Sequence, residues 1–212
     1  MYKLPYHKEN DPEVVRALMR EFPFAFLTAC DSMQRPVVTQ VPLFYEESGD
    51  TTFLRGHMMR NTDHHKAFKH NSQALAVFTG RHSYVSATWY SNPNTASTWN
   101  YMSVHVRGEL RFLEGDALEE MLRKTSLHFE NNDHESPTVF DNLPDSFRRK
   151  VMKAIVAFEI EIAEIDNVFK LSQDRDFKSY QNIISELEKQ GVDGDAIAQE
   201  MKKRIRKVFP DS

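Results

Sequence analysis

Thr98-Trp99-Asn100-Tyr101-Met102-Ser103-Val104-His105-Val106-Arg107-Gly108-Glu109-Leu110-Arg111-Phe112 is the stretch that decides the fold. Val104, Val106, Leu110 and Phe112 recur at a two-residue period, and the phase survives Gly108. That period belongs to a strand with one buried face. A glycine inside a strand marks a bend or a close backbone approach. The reading is one long strand, tightened at residue 108.

Upstream, Ser91 to Ser97 is loop chemistry. Ala74 to Thr79 and Ser83 to Ser86 read as two short strands. Asn61 or Thr62 caps a short helix that runs to about His70. Thr51 to Leu54 is a strand returning from a Ser48-Gly49-Asp50 turn. Val37 to Tyr45 alternates with both faces half-apolar, and Pro42 within it signals an edge or a bulge. Phe24 to Cys30 is a short apolar run. The first helix opens on Asp11, Pro12 and Glu13, carries Val14, Val15, Leu18, Met19 and Phe22 on one stripe, and stops at Pro23.

Downstream, Gly115 and Asp116 open a helix to about Phe129. A polar loop runs from Glu130 to Thr138, and a short helix from Pro144 to Lys153. Phe158, Ile160 and Ile162 alternate with glutamates as a half-buried strand. Helices follow from Phe177 to Gln190 and from Ala196 to Val208, parted by Gly191-Val192-Asp193-Gly194. This order lacks the strict strand–helix alternation of a doubly wound sheet. It fits an α+β, mostly antiparallel architecture: a small β-barrel with peripheral helices.

The 212 residues are 40% hydrophobic and 27% charged, which suits a folded chain and argues against wholesale disorder. Lys plus Arg number 27 against 31 Asp plus Glu, a net −4, so a generic polyanion binder is excluded. One cysteine, Cys30, forbids an intrachain disulfide framework. No apolar run reaches membrane-spanning length, and residues 1–10 hold no signal-peptide core. The expectation is a cytoplasmic protein without a membrane contact.

His64, His65 and His70 do not sit at zinc-helix spacing, so no metal site is expected. No GxSxG, Walker or GxGxxG pattern occurs, and no catalytic residue identifies itself. Two segments carry unusual chemistry. Gly56-His57-Met58-Met59-Arg60-Asn61 joins a strand to a helix, where Arg60, helix amides and Lys66 can hold a phosphate; a solvated basic face is the competing reading. Residues 80–105 hold both tryptophans and several tyrosines beside polar loops, composition that lines a site for a flat ligand or plugs an interface. Lys202, Lys203, Arg204, Arg206 and Lys207 cluster at a helix C-terminus, either as a solvated end that complements the helix dipole or as a DNA contact.

At these residues the chain resembles the PaiB-like family of FMN-binding negative transcriptional regulators. The resemblance is carried, in family order, by Met1-Tyr2 with Pro5, Asp11, Phe22-Pro23-Phe24-Ala25, Val41-Pro42-Leu43, Gly56-His57 with Arg60-Asn61, Gly80 with His82 and Tyr84, Ser86 with Trp89-Tyr90, Thr98-Trp99-Asn100-Tyr101, Val104-His105, Gly108, Phe158-Glu159-Ile160, and Lys170-Leu171-Ser172-Gln173 with Arg175. Gln40 stands where relatives usually carry His. Thr62-Asp63-His64 and Ala87 replace proline-containing family pieces.

The resemblance implies a split β-barrel over residues 1–170 with a helical extension over 171–212. It implies a homodimer with FMN in clefts between subunits. Arg60 and Asn61 become phosphate contacts with Lys66 nearby and His57 and Gln40 at the site. Trp89, Trp99 and Tyr101 flank the ring. It also implies a bacterial repressor role. A flavin-dependent oxidoreductase is the alternative, and a haem-binding relative using His57, His82 and His105 stands behind it.

Overall fold

The computed structural model describes residues 4–92, 94–113 and 115–210. Met1-Tyr2, which opens the resemblance, and Pro93 of the expected loop lie outside them. Among the described residues the strands are β1 (Phe24–Cys30), β2 (Pro36–Pro42), β3 (Phe44–Ser48), β4 (Thr51–Met59), β5 (Gln73–Val85), β6 (Thr98–Leu113) and β7 (Ile155–Lys170). The α-helices are α1 (Pro12–Glu21), α2 (Asp63–His70), α3 (Asp116–Phe129), α4 (Asp145–Ala154), α5 (Phe177–Leu187) and α6 (Gly191–Val208). The sheet order is β2-β1-β5-β6-β7-β4-β3. The pairs β1–β2, β1–β5, β3–β4 and β4–β7 run antiparallel. The chain divides into two compact units: one holds 4–18, 79–104 and 166–210, the other 19–78 and 105–165.

The long strand expected from Val104 to Phe112 is the second part of β6, which already begins at Thr98. In the second unit a Cβ built on Gly108 would lie 2.0 Å from the Glu161 carbonyl oxygen, so the glycine marks a close backbone approach to β7. The run from Val37 to Tyr45 is two strands, not one. Leu43 interrupts it, with its N–H donating to the Pro23 carbonyl at 2.8 Å, and β2 and β3 end at opposite edges of the sheet order. The two short strands expected between 74 and 86 are a single strand, β5. The core of this unit gathers Phe44 of β3, Leu118, Met121 and Leu122 of α3, Phe140, and Ala157 of β7, with Val151 and Met152 of α4 against them.

In the first unit, Tyr180, Ile183 and Leu187 of α5 and Ile197 and Met201 of α6 are fully buried. Burial of such aliphatic side chains is worth about 1.5–3 kcal/mol each. The Tyr180 hydroxyl donates to the Met201 carbonyl at 2.9 Å, so its polar end is satisfied too. The expected break at 191–194 falls earlier. Gly191, with φ 75°, already begins α6, and residues 188–190 make the joint.

Asp176 caps α5. Its carboxylate accepts from the Ser179 hydroxyl at 2.6 Å and backbone N–H at 2.9 Å, and from the Ser91 hydroxyl at 2.8 Å. These donors, Ser179 foremost, hold its pKa at about 2, below the ordinary 3.8. A depressed carboxylate pKa stabilises the fold above the unfolded value and stops doing so as pH falls through the folded one. Asp176→Ala is therefore expected to cost about 1 kcal/mol at neutral pH, the usual loss of an N-cap. The difference from wild type should vanish between pH 3.8 and about 2. Urea unfolding at both ends of that window checks it; an unchanging difference refutes it.

Candidate functional site

In the second unit the end of β4 leads directly into α2. The Arg60 N–H donates to the Ala154 carbonyl at 2.8 Å, and its Nε to the Ile155 carbonyl at 2.9 Å. The guanidinium is thereby aimed, while its two outer nitrogens meet no acceptor among the described residues. Asn61 takes a left-handed φ of 65°, and its N–H donates to His65 Nδ1 at 3.1 Å. That bond fixes Nδ1 as an acceptor, so neutral His65 carries its proton on Nε2. Burial, then the cations Lys69 and Arg60, push the His65 pKa down. On β4, His57 has its Nδ1 buried with no hydrogen-bond partner, and burial lowers its pKa.

Thr62 caps α2, as the sequence suggests, with its Oγ1 accepting from the His65 N–H at 3.4 Å. The Asp63 carboxylate accepts the His64 N–H at 2.8 Å, and this bond holds its own pKa low. Two of the first-turn amides of α2 that were expected to face a phosphate, those of His64 and His65, are thus already taken. Lys66 is exposed and unpaired among the described residues. It shares with Asp63 the wall of a cleft of about 470 Å³ that Arg60 does not line. Gln40 is exposed on β2, opposite Phe26 of β1.

The aromatic residues belong to the first unit. Trp99 is 52% exposed and meets His82 at 5.7 Å and, edge-on, Tyr84 at 6.0 Å between ring centroids. Tyr101, two residues on along β6, is half-buried, as is Trp89, which sits in a 3-10 turn over 87–89. Sequence reasoning passed over the segment behind them. Lys170 at the end of β7 donates to the Trp99 carbonyl at 2.7 Å and to Thr98 Oγ1. Asn100 is fully buried, accepts from the Ser172 hydroxyl at 3.0 Å, and so ties β6 to residues 170–175. The Arg175 guanidinium lies over the Tyr90 ring at 4.6 Å. The signal was available: Lys170 and Arg175, two cations five residues apart, stand in the piece that carries the resemblance, where the sequence reading gave them no site role.

A family model described as "Putative FMN-binding domain" matches residues 1–164. Protease synthase and sporulation protein PAI 2 of Bacillus subtilis is 30% identical over 212 residues, covering 98% of this chain and 99% of that protein. The chain belongs to this PaiB-like, FMN-binding family. A FAD and heme binding protein from Mycobacterium smegmatis superposes with a TM-score of 0.56 at 19% identity, over 77% of this chain and 73% of its own. The flavocytochrome Anf3 from Azotobacter vinelandii gives 0.56 at 20% identity, over 80% and 72%. These likenesses establish the split-barrel fold expected from the sequence.

FMN is the cofactor that family membership assigns to the chain. The residues present fit it. Arg60 offers two unpartnered nitrogens to a phosphate, and His57 Nδ1 is a buried polar atom that lacks a partner. Among the described residues no group of three His, Cys, Asp or Glu side chains is placed to hold a metal ion, and no helix is long and apolar enough to cross a membrane.

The basic run of this family member is largely spoken for. Lys202 pairs with Glu188, Lys203 with Glu200, and Arg204 with both Glu200 and, at 3.3 Å, Glu9; Lys207 reaches Glu9 at 3.0 Å. Burial raises the Glu9 pKa, but Lys207, the Asp11 N–H and Arg204 outweigh it and hold it below the usual value. Arg206 is the one cation of the five without a partner among the described residues.

Proposed function

We propose that this chain is a cytoplasmic bacterial homodimer that binds FMN through the β4–α2 junction and serves as a negative regulator of transcription. The observation that carries the flavin site is the Arg60 guanidinium, oriented by the Ile155 carbonyl and open on its outer side. Arg60 holds the phosphate by charge-assisted bonds, with Asn61 shaping the turn, Lys66 adding positive charge from its own cleft, and His57 and Gln40 lending polar contacts. The resemblance casts Trp89, Trp99 and Tyr101, which lie in the first unit, as ring contacts. Bound FMN supplies a redox centre for one- or two-electron transfer.

A second copy is supported by the outer face of β1 and β2. Phe24 and Val38 are each 58% exposed and Phe26 is 41% exposed, on a face shared with Gln40 and Pro42. Apolar side chains gathered on one sheet face mark an interaction surface, and a self-complementary partner is the commonest solution. The pairing of the tail's cations with the chain's own carboxylates speaks against direct DNA contact through Lys202, Lys203, Arg204 and Lys207. The regulatory reading we favour acts through the flavin-bearing fold.

The test is a flavin titration of apo-protein. Arg60→Ala is expected to weaken FMN binding about ten- to a hundredfold while leaving riboflavin, which lacks the phosphate, unchanged. Equal FMN affinity in the variant removes Arg60 from the site.

A further inference from the structure

Three hydrogen-bond donors in the first unit are left with spare capacity in one place. The Tyr90 hydroxyl is buried without a partner, in a residue only 7% exposed. Arg175 Nε is likewise buried and unpartnered. The remaining Arg175 contacts are weak: Nη1 stands 3.4 Å from Thr95 Oγ1 and Nη2 3.7 Å from the Asp174 carboxylate. Lys170 gives two of its three N–H groups to neutral oxygens, Thr98 Oγ1 and the Trp99 carbonyl; Asp174 acts on it only from beyond ion-pair distance, and no carboxylate among the described residues pairs with it. Burial disfavours its charge. Buried donors are almost always paired in folded proteins, and an orphan costs its full desolvation.

The backbone holds these groups firmly. Ser172 adopts φ 62°, the Arg175 N–H donates to the Ser172 carbonyl at 3.1 Å, and Gln173 Oε1 accepts from the Leu171 N–H at 2.7 Å. Asp176, the next carboxylate along, is spent on Ser91 and Ser179. What is missing is an acceptor. Burial foremost, then Asp174 and last Tyr84, raise the Tyr90 pKa, and Tyr84 belongs to the exposed aromatic group with Trp99 and His82.

We propose that Lys170, Arg175 and Tyr90 form a binding site for the carboxylate of a small organic acid with a planar body. Lys170 and Arg175 against Asp174 leave one net positive charge, which matches a carboxylate monoanion rather than a phosphate dianion. Arg175 supplies the fork that suits carboxylate geometry, Lys170 the point charge, and the Tyr90 hydroxyl a third donor. Tyr84 and His82 offer ring faces to the body of the acid. The site is distinct from Arg60 and does not depend on flavin being bound there.

Benzoate is the probe, with uncharged benzamide as its control, titrated against apo-protein by tryptophan fluorescence and calorimetry. Benzoate is expected to bind saturably and benzamide at least about tenfold more weakly. Lys170→Met and Arg175→Lys should each weaken benzoate about tenfold, and Tyr90→Phe about three- to tenfold. Tyr90→Phe should melt at the same temperature or higher, since it deletes only a buried orphan hydroxyl, so it keeps the test valid if the cation variants fold poorly. FMN and riboflavin affinities should not change in any of the three. Absence of saturable benzoate binding overturns the proposal. So does a Tyr90→Phe protein that binds benzoate as wild type does. Variants that weaken FMN but not riboflavin also overturn it, because the site would then belong to the flavin phosphate.

Discussion

Gly108→Ala is expected to abolish the native fold or to destabilise it by at least about 4 kcal/mol, the far end of what one substitution does. The added methyl would lie 2.0 Å from the Glu161 carbonyl oxygen, 2.9 Å from its carbon and 2.8 Å from Ile160 Cγ2. Two of these atoms are backbone of β7 and cannot rotate away. Relief requires the two strands to part over several residues, which breaks ladder bonds in the middle of the sheet order. Against a total stability of about 5–15 kcal/mol that loss is close to decisive. Gly49→Ala is the control: its φ of 59° is strained for alanine, but nothing lies within 4 Å of the new atom. It should cost only about 1 kcal/mol. Urea unfolding followed by circular dichroism reads both, and a Gly108→Ala protein within about 1 kcal/mol of wild type contradicts the packing described.

The second large effect is expected at Glu159, which is 2% exposed in the middle of β7. It lies opposite Arg55 in the β4–β7 register and accepts from Arg55 Nε at 2.9 Å and from Arg111 on its other side. Arg55 also donates to Glu46 at 2.8 Å, and Glu46 is shared with Lys124. Both guanidiniums lie over the Phe53 ring, at 5.5 and 5.7 Å. Glu159→Ala removes the hub and leaves the half-buried Arg55 with half its partners. Breaking a buried pair from one side is expected to cost about 2–4 kcal/mol, near the lower end for such pairs because Arg111 is open to water. Added salt should shift the difference little, since the carboxylate is shielded from solvent. Denaturation of Glu159→Ala and Glu159→Gln in low and high salt decides; a cost below about 1 kcal/mol for Glu159→Ala means the network is dispensable.

Much of the sheet was legible because period-two patterning is local. Phe24 to Cys30 became β1 residue for residue, and Val104 to Phe112 fell within β6, whose first six residues, Thr98 to Ser103, keep no such alternation. The split at Leu43 was not, because the alternation keeps its phase across it and only the long-range bond to Pro23 ends the strand. The second half of β7 was hidden by Glu161, Glu164 and Asp166, which are polar enough to read as loop yet lie on the strand. Gly80 and Arg81 likewise disguised the continuity of β5. At the site, the run from His57 to Lys66 could be read because its members are neighbours in the chain. The engagement of the α2 amides by Asp63 and Thr62 could be known only from coordinates. Tyr90 and Arg175 stand eighty-five positions apart, and no pattern within either segment announces that a ring and a guanidinium will stack.

Glu9 links the segment before α1 to Arg204 and Lys207, residues 195 and 198 positions later. On the ribosome this order has a consequence. The unit made of residues 19–78 and 105–165 can close while the chain is still being made. The segment around Glu9, though synthesised much earlier, lacks both cation partners of its carboxylate until α6 has emerged. Its carboxylate remains hydrated in that interval and is withdrawn from water only when both cations are at hand. The segment around Glu9 is thus among the last of the described residues to find its place.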